Sequence, residues 1–484
     1  MRILYLDLDT LRPDHLGCYG YHRNTSPNID RIAAEGVRFD NCYASDAPCL
    51  PSRAALFNGR FGIHTGVVGH GGTAADLRIE GASRGFVNAR DRWPWAMAMA
   101  QQGLYTVSVS PFADRHGAWW FCNGFREMYN TGKRGLERAD EVAPYAIDWI
   151  RRNARRDNWF LQVNFWDPHT PYRTPEAYGN PFVYDPAPDW LSEEIIQTHR
   201  ASYGPHSARE PRGFGPEATV SPREVAEIAS LADFKHWIDG YDVGIRYMDD
   251  YIGQILNELA AQGVLDDTII IISSDHGENQ GELNVYGDHH TADHITSRVP
   301  LIIHWPGLPG KRVDRALHYQ LDMAATVLEL LGAPIPPLWD SESFASAFQA
   351  GQERGRDFLV VSQCAWSCQR AVRFSRWLMI RTYHDGLKDF MPTMLFDVDE
   401  DPHETRNQVV SYTNIVDHCM RLLDRWQGEM MARSLEATDP LWTVMREGGP
   451  LHTRGHLASY CQRLRESGRE HHAETLLRLH GGEK

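Results

Sequence analysis

A cysteine stands where the sequence predicts the start of a helix, a position that favours chemistry on anions. Pro48 precedes Cys49, and an apolar helical pattern begins at Pro51 and Ser52. The free amide groups and the partial positive charge of a helix N-terminus stabilise an anion or a thiolate. Arg53 adds a full positive charge close to the cysteine. Two interpretations stay open from this pattern alone, a catalytic cysteine and a buried structural thiol.

Polar clusters follow three of the short apolar runs that predict β-strands. The best strand candidates are residues 3–9, 159–165, 268–274 and 299–304. They alternate with helical patterns such as residues 241–262, as expected for a mostly parallel sheet with helices on both faces. In such sheets ligands bind outside the carboxyl ends of the strands. The polar residues predicted to meet in one crevice are Asp7, Asp9, Asp167, His169, Asp275 and His276.

The predicted fold is an α/β fold with a large, mostly parallel or mixed sheet flanked by helices. Residues 1–355 are predicted to form the catalytic domain, and residues 356–484 a smaller C-terminal α+β subdomain. The subdomain is expected to contain strands at residues 371–380 and 394–398, followed by a polar helical tail. Residues 173–230 are rich in Pro, Gly and charge, and are interpreted either as a rim or lid over the crevice or as a solvated excursion.

The composition restricts the kinds of partner. The sequence has 42% hydrophobic and 23% charged residues, as in an ordinary globular protein, and its net charge of −15 argues against a nucleic-acid partner. An anionic substrate must therefore be held by local groups, namely a metal ion, an arginine or a helix N-terminus. The first residues reach an acidic pair before an apolar signal segment develops, and no apolar run of membrane-spanning length follows. We therefore expect a cytoplasmic protein that does not contact a membrane.

The eight cysteines are scattered too sparsely for a disulfide scaffold. Cys364 and Cys368 are separated by three residues, but no second Cys or His pair with zinc-site spacing accompanies them. Reduced, buried thiols are therefore the expected state. The polar tail contains the apolar residues Leu457, Tyr460 and Leu464, which could pack against another subunit. A homo-oligomer is therefore one expectation.

The segment 47–60 resembles the sulfatase signature, Cys-x-Pro-Ser-Arg followed by an apolar stretch and a Gly-Arg pair. The matching residues are Cys49, Pro51, Ser52, Arg53, Leu56, Gly59 and Arg60. Further matching segments are residues 11–20, 26–31, 298–300, 305–307, 396–397 and 401–402. The chain thus resembles the type I, formylglycine-dependent sulfatases of the alkaline phosphatase superfamily, and the resemblance implies their fold.

In this family the cysteine is oxidised to formylglycine, so the resemblance implies a formylglycine-generating enzyme as a partner for Cys49. One hydroxyl of the hydrated aldehyde attacks, and the second expels the bound group as the aldehyde reforms. The resemblance also implies one divalent metal ion, with Asp9, Cys49, Asp275 and His276 as ligands. Asp7 shares a strand face with Asp9 and is expected to bind the ion or to support its ligands. Calcium or manganese is expected, with magnesium and zinc as alternatives.

Three histidines are predicted to contact the transferred group or the leaving oxygen. His169 lies in an Asp-Pro-His-x-Pro-Tyr run that resembles a substrate-binding element of the family, and it can donate a hydrogen bond or a proton. His289 and His290 lie where many relatives have a Lys-His pair. A titratable imidazole thus replaces the lysine, which predicts a stronger dependence of activity on pH.

The sequence departs from the family pattern at two places. Thr10 follows Asp9 where many sulfatases have a second aspartate, and residues 105–110 lack the Lys and His that many sulfatases have after this strand. Members that resemble phosphonate monoester hydrolases also lack them. The leading hypothesis is metal-dependent hydrolysis of a sulfate monoester of an anionic small molecule or a sugar. The alternatives are hydrolysis of phosphonate monoesters or phosphodiesters by the same nucleophile, and non-catalytic binding of a sulfated ligand.

Overall fold

The computed structural model describes residues 1–78, 90–214 and 221–482. Its strands are β1 (Arg2–Leu8), β2 (Val37–Tyr43), β3 (Asp46–Ala47), β4 (Tyr105–Val109), β5 (Glu127–Tyr129), β6 (Trp159–Phe165), β7 (Thr268–Ser274), β8 (Asn279–Gln280), β9 (Tyr286–Asp288), β10 (Leu301–His304), β11 (Arg312–Tyr319), β12 (Phe358–Gln363), β13 (Cys368–Phe374), β14 (Trp377–His384) and β15 (Thr393–Asp397). Its α-helices are α1 (Pro27–Glu35), α2 (Cys49–Asn58), α3 (Gly62–Thr65), α4 (Trp95–Gln101), α5 (Phe112–His116), α6 (Ala139–Asn153), α7 (Glu193–Ala201), α8 (Leu231–Ala261), α9 (His294–Ser297), α10 (Gln320–Leu330), α11 (Ala345–Ala350), α12 (Thr413–Arg433), α13 (Pro440–Arg446), α14 (Leu457–Glu466) and α15 (Glu470–His480).

The central sheet has the strand order β11-β2-β10-β7-β1-β6-β4-β5. β1 runs parallel to β6 and β7, whereas β10 runs antiparallel to β7 and β2. Every residue of β6 and β7 is buried, which explains why these strands are continuous apolar runs in the sequence. The predicted α/β fold with a mixed sheet is confirmed. The strands predicted at 3–9, 159–165 and 268–274 are confirmed to within one residue, and the one predicted at 299–304 begins at Leu301.

The crossover helix predicted at residues 241–262 is longer than expected, because α8 begins at Leu231. The side chain of Ser230 caps this helix by accepting a hydrogen bond from the amide of Asp233 at 3.2 Å. Gly240 interrupts the helical pattern, and it is required because a Cβ there would lie 2.4 Å from the carbonyl oxygen of Arg223. Among the described residues, no helix has the length and apolar character needed to span a membrane.

A second, five-stranded sheet has the order β15-β14-β13-β12-β3. The single strand predicted at residues 371–380 is wrong, because the chain turns at Ser375, which has a φ of 52°, and forms the hairpin β13-β14. Apolar residues on both sides of this turn conceal it in the sequence. β3, just before Cys49, pairs in parallel with β12. The small sheet therefore holds the segment that leads into α2, and the division after residue 355 stays a prediction.

The insertion at 173–230 is packed against the C-terminal tail in the part that the structure describes. The amide of Gly204 donates to the hydroxyl of Tyr460 at 2.6 Å, and the Arg469 guanidinium forms a buried ion pair with Glu210. The ring of Phe214 stacks on the imidazole of His456, with centroids 4.4 Å apart. The tail therefore covers this segment, and the interpretation as a solvated excursion is wrong for these residues.

The buried ion pair between Arg370 and Asp439 joins β13 to the start of α13, and it yields a prediction on stability. The guanidinium donates to both carboxylate oxygens at 2.7 and 2.8 Å. We expect Asp439→Ala to lower the free energy of unfolding by about 3–5 kcal/mol, because a buried cation loses its partner. Asp148→Ala, which removes an exposed partner of Arg152, should leave the free energy of unfolding almost unchanged, because water screens that pair. Urea denaturation measures the free energy of unfolding of both variants. Equal decreases in the two variants would contradict the prediction that the buried ion pair contributes more.

Lys388 yields a prediction on the pH dependence of stability. Its buried ammonium donates to the carbonyl oxygens of Pro205 and Asn284, and burial lowers its pKa to about 7. Above that pH the unfolded chain holds a proton that the folded chain has lost, so the free energy of unfolding rises with pH. Between pH 7 and pH 9 we expect it to rise on the order of 2 kcal/mol more in the wild type than in Lys388→Met. The exposed substitution Lys311→Met serves as the control, and parallel wild-type and Lys388→Met curves would refute the prediction.

Candidate active site

The predicted nucleophile lies at the first residue of α2, at the carboxyl end of the central sheet. Cys49 is buried, and its Sγ lies 3.2 Å from Nε2 of His276. The hydroxyl of Ser52 donates to the carbonyl oxygen of Asp275 at 2.6 Å and so fixes the start of the helix next to the end of β7. The helix begins two residues earlier than the sequence indicated, but the predicted position of Cys49 at a helix N-terminus is the one observed.

Arg53 joins the ends of β1 and β7 through three carboxylates. Its Nε and Nη2 donate to the two oxygens of Asp7 at 3.0 and 2.9 Å. Its Nη1 donates to Oδ2 of Asp9 at 3.0 Å and to Oδ2 of Asp275 at 2.5 Å. Burial raises the pKa of Asp7 and of Asp275, and Arg53 opposes this shift in both. Because one guanidinium meets three carboxylates, the cluster holds a surplus of negative charge when these are ionised.

The surplus of negative charge fits a divalent metal ion. Ligand atoms of Asp9, Cys49, Asp275 and His276 all lie within 4.8 Å of one another. Oδ1 of Asp9 is buried without a hydrogen-bond partner, so a carboxylate oxygen is available for an ion. Nδ1 of His276 lies 2.8 Å from the carbonyl oxygen of Gly277 and donates to it, which leaves the Nε2 lone pair facing Cys49. These residues therefore fit the metal site that the sequence predicted.

Asp7 has a different position from the other predicted ligands. Both of its oxygens accept hydrogen bonds from Arg53, and Oδ2 also accepts one from Nε2 of Gln162 at 3.0 Å. It is not part of the group of four that could hold an ion. Of the two roles expected from the sequence, the geometry favours support of Arg53 over binding of the ion.

The electrostatic environment of Cys49 differs from the expectation of a stabilised thiolate. Burial raises the pKa of its thiol well above the usual value, and Asp9 and Asp275 raise it further. Arg53 and Arg115 lower it, but their effect is the smaller one. A helix N-terminus alone indicates a thiolate, but burial and the two carboxylates outweigh that effect.

Two of the three predicted histidines lie near the nucleophile. The ring of His289 lies 4.2 Å from that of His276 and 5.9 Å from that of His169, centroid to centroid. Burial lowers the pKa of His289 well below its usual value, and burial followed by the charges of Arg115 and Arg173 lowers that of His169 to about 3. Both imidazoles are therefore neutral at physiological pH.

The hydrogen bonds of the 167–169 run refine two sequence predictions. Nδ1 of His169 donates to the carbonyl oxygen of Thr170 at 2.5 Å, so its Nε2 is an acceptor in this tautomer. His169 can donate a hydrogen bond to the anion, as predicted, only when its Nε2 also carries a proton. Asp167 was predicted to face the crevice, but its Oδ2 accepts from the amide of Ala139 at the start of α6. Its carboxylate therefore caps that helix.

His290 is not brought to the nucleophile. Its Nε2 lies 2.7 Å from Nδ1 of His206, and its ring stacks on Trp366 with centroids 4.1 Å apart. Asp288 completes this separate cluster, with Oδ2 at 3.3 Å from Nε2 of His206. His289 thus faces Cys49, whereas His290 faces His206 and Trp366. The predicted catalytic role of His290 is thus not supported by its position.

Several residues around the site were missed from the sequence. β4 lacks Lys and His as noted, but the short helix α5 after it supplies Arg115 and His116. The guanidinium carbons of Arg115 and Arg53 lie 4.9 and 5.8 Å from the Trp166 ring centroid, so both cations lie against one indole. The adjacent residues Arg115 and His116 follow a predicted strand after only a few residues, and this basic pair is the sequence signal that could have identified Arg115.

The C-terminal tail contributes a residue to the same region. Nε2 of His452 lies 2.9 Å from Nδ1 of His70, and its ring stacks on Trp366 with centroids 4.6 Å apart. Burial lowers the pKa of His70 and of His452, the latter to about 4, so both imidazoles are neutral. No local pattern in the sequence marks His452, because its approach to His70 depends on the packing of the whole tail.

Comparison with known proteins supports the geometry. The model of the sulfatase family matches residues 2–333, and the model described as N-sulphoglucosamine sulphohydrolase, C-terminal, matches residues 281–428. An ulvan-active sulfatase of Formosa agariphila is 24% identical over 421 residues, which cover 84% of this chain and 76% of that protein. A choline-sulfatase of Rhizobium meliloti is 25% identical, with 79% of this chain and 77% of that protein covered.

Solved structures share the fold. BT4656, determined in complex with its substrate D-glucosamine-2-N,6-O-disulfate, superposes with a TM-score of 0.71 at 19% identity and covers 91% of this chain and 99% of its own. A phosphonate monoester hydrolase from Silicibacter pomeroyi superposes with a TM-score of 0.66 at 19% identity, with 90% and 96% covered. The chain therefore belongs to the sulfatase family, and it is a sulfuric ester hydrolase with the fold of the alkaline phosphatase superfamily.

Proposed function

We propose that this protein hydrolyses sulfate monoesters with formylglycine, derived from Cys49, as the nucleophile, and that it requires one divalent metal ion. One observation carries the proposal, namely that Cys49 lies at the start of α2 in one group with Asp9, Asp275 and His276. Oxidation of the cysteine exchanges sulfur for oxygen and removes two hydrogens, so it needs an oxidant and a formylglycine-generating enzyme. Calcium or manganese suits the mixture of carboxylate and imidazole ligands.

The proposed reaction has two steps. The hydrated aldehyde attacks sulfur through one hydroxyl, the ester S–O bond breaks, and the alcohol leaves with a proton. The second hydroxyl then loses its proton, the C–O bond to the sulfate breaks, and the aldehyde reforms. When bound, the metal ion lowers the pKa of the hydrate and neutralises charge on the sulfate oxygens.

The residues around the nucleophile have separate roles in this proposal. Asp7 holds Arg53 by two hydrogen bonds, and Arg53 orients Asp9 and Asp275. Ring nitrogens of His276 and His289 lie within 4.8 Å of the Cys49 sulfur. Nδ1 of His289 is buried without a hydrogen-bond partner, so this neutral imidazole can carry a proton between the hydrate and the leaving oxygen.

Rates on matched esters test the proposed specificity. We expect the highest kcat/KM for sulfate monoesters when sulfate, phosphonate and phosphate-diester substrates share one leaving group. A higher kcat/KM for the phosphonate ester would favour the alternative that the sequence left open, because the same nucleophile can attack phosphorus.

The metal assignment predicts different effects for two neighbouring aspartates. Asp9→Asn should abolish metal binding and turnover, because Oδ1 of Asp9 is the free ligand oxygen in the group. Asp7→Asn should keep the metal and lower kcat by about tenfold to about 100-fold, because it loosens only the support of Arg53. Metal content after gel filtration and turnover measure the two effects. Equal loss of metal in both variants would make Asp7 a ligand, and full turnover after chelation would refute the metal site.

The two-hydroxyl mechanism predicts the behaviour of Cys49→Ser. A serine hydroxyl can attack sulfur, but the sulfated serine lacks the second hydroxyl that would release the sulfate. We therefore expect one turnover and a stable sulfated protein, detected by intact-protein mass spectrometry. Cys122→Ser, at an exposed cysteine, is the matched control and should turn over repeatedly. Repeated turnover by Cys49→Ser would contradict the mechanism.

A further inference from the structure

Two arginines, Arg115 and Arg173, act on the imidazole of His169 beside the candidate active site. Among the residues that the structure describes, Arg115 and Arg173 have no carboxylate oxygen within the 4.0 Å of an ion pair. The chain pairs its buried arginines elsewhere with carboxylates, among them Arg12, Arg23, Arg370 and Arg469. The two arginines beside the active site thus differ from the usual pattern of this protein.

Arg173 is the less satisfied of the two. Its Nε and Nη2 are buried without a hydrogen-bond partner, and Nη1 reaches only the carbonyl oxygen of Thr170, at 3.5 Å. Burial lowers its pKa, the charge of Arg115 lowers it further, and Asp167 opposes these effects. Arg173 is half-buried as a residue, but two of its guanidinium nitrogens are shielded from solvent without a partner. Such unsatisfied nitrogens are costly, so their presence beside the candidate active site indicates an anion that binds them.

The two arginines lie on the substrate side of the site. Arg173 follows His169 by four residues in the same loop, and both guanidiniums lower the pKa of that imidazole. The charge of Arg115 also acts on Cys49, and Arg115 lies against Trp166 together with Arg53. This arrangement assigns Arg115 to the reacting sulfate and leaves Arg173 for a second anion.

Neutral imidazoles lie beside Arg115 and Arg173. Nε2 of His70 and Nε2 of His116 are buried without hydrogen-bond partners, and the rings lie 5.1 Å apart, centroid to centroid. His452 from the C-terminal tail bonds to His70. Neutral imidazoles both donate and accept hydrogen bonds, which suits hydroxyl groups. The arginines and the neutral imidazoles together therefore fit a leaving group that carries hydroxyl groups and a negative charge.

We propose that Arg173 binds a second anionic group, a carboxylate or a sulfate, on the leaving group of the substrate, while His70, His116 and His452 contact its hydroxyls. The substrate class is then a sulfate ester of an acidic or multiply sulfated sugar. This inference deepens the proposed function and rests on it. The tail residue His452 lies outside both matched family regions.

Calorimetric binding to protein that carries Cys49→Ala tests the subsite without turnover. The ligands are sulfated N-acetylglucosamine, which has one anionic group, disulfated glucosamine and sulfated glucuronic acid. In Arg173→Gln we expect the Kd of at least one dianionic ligand to rise about tenfold or more, and the Kd of the monoanionic ligand to change less than about twofold. Arg173→Lys should give an intermediate Kd. The ligand that responds identifies the second anion as a sulfate or a carboxylate.

Arg209→Gln is the control, because among the described residues this guanidinium donates only to the carbonyl oxygen of Arg200, at 2.8 Å. Equal weakening of all three ligands by Arg173→Gln would place Arg173 at the reacting sulfate, and unchanged binding would show that no such subsite exists. Either result overturns the inference. Dianion binding that depends on Arg173, in a wild-type protein that hydrolyses no sulfate ester, would refute the proposed function and keep the subsite.

Discussion

The structure of the active site depends on one guanidinium buried among three carboxylates. The side chain of Arg53 is 1% exposed and contacts Asp7, Asp9 and Asp275 at once. Removal of such charges from water is costly, and their attraction compensates only when the geometry is good and the remaining lone pairs are satisfied. Oδ1 of Asp9 has no partner, and the ionised cluster has surplus negative charge. The arrangement therefore fits a cation, which would offset the surplus negative charge and so allow an anionic substrate to approach.

The fold brings these charges together through neighbouring strand ends. β1 and β7 are paired in register from Arg2 with Thr268 to Leu8 with Ser274, so the residues just beyond them, Asp9 and Asp275, lie side by side. The small sheet also contributes, because Gln363 at the end of β12 donates through Nε2 to the carbonyl oxygen of His289 at 2.6 Å. Loss of either sheet would displace a residue beside Cys49.

Much of this arrangement could be predicted from the sequence where a signal is local. The strands of the central sheet, the start of α2 and the Asp-His pair after β7 are each contained within a few residues, and their predicted positions agree with the structure to within two residues. His452 could not be predicted in this way, because its approach to His70 depends on packing between distant segments. The sequence predicts one role for His289 and His290, because they are adjacent. It does not reveal that their side chains face different parts of the structure. The hairpin turn at Ser375 was missed for a related reason, since apolar residues on both sides continued the strand pattern.

The proposed nucleophile is an aldehyde-derived hydrate at position 49, held beside a metal ion. Mass spectrometry of the peptide that spans Cys49, from protein that turns over a sulfate ester repeatedly, tests it most directly. We expect sulfur to be replaced by oxygen with two hydrogens lost, and the fraction of modified protein to follow the specific activity across preparations. Repeated turnover by preparations that contain only the unmodified thiol would contradict it.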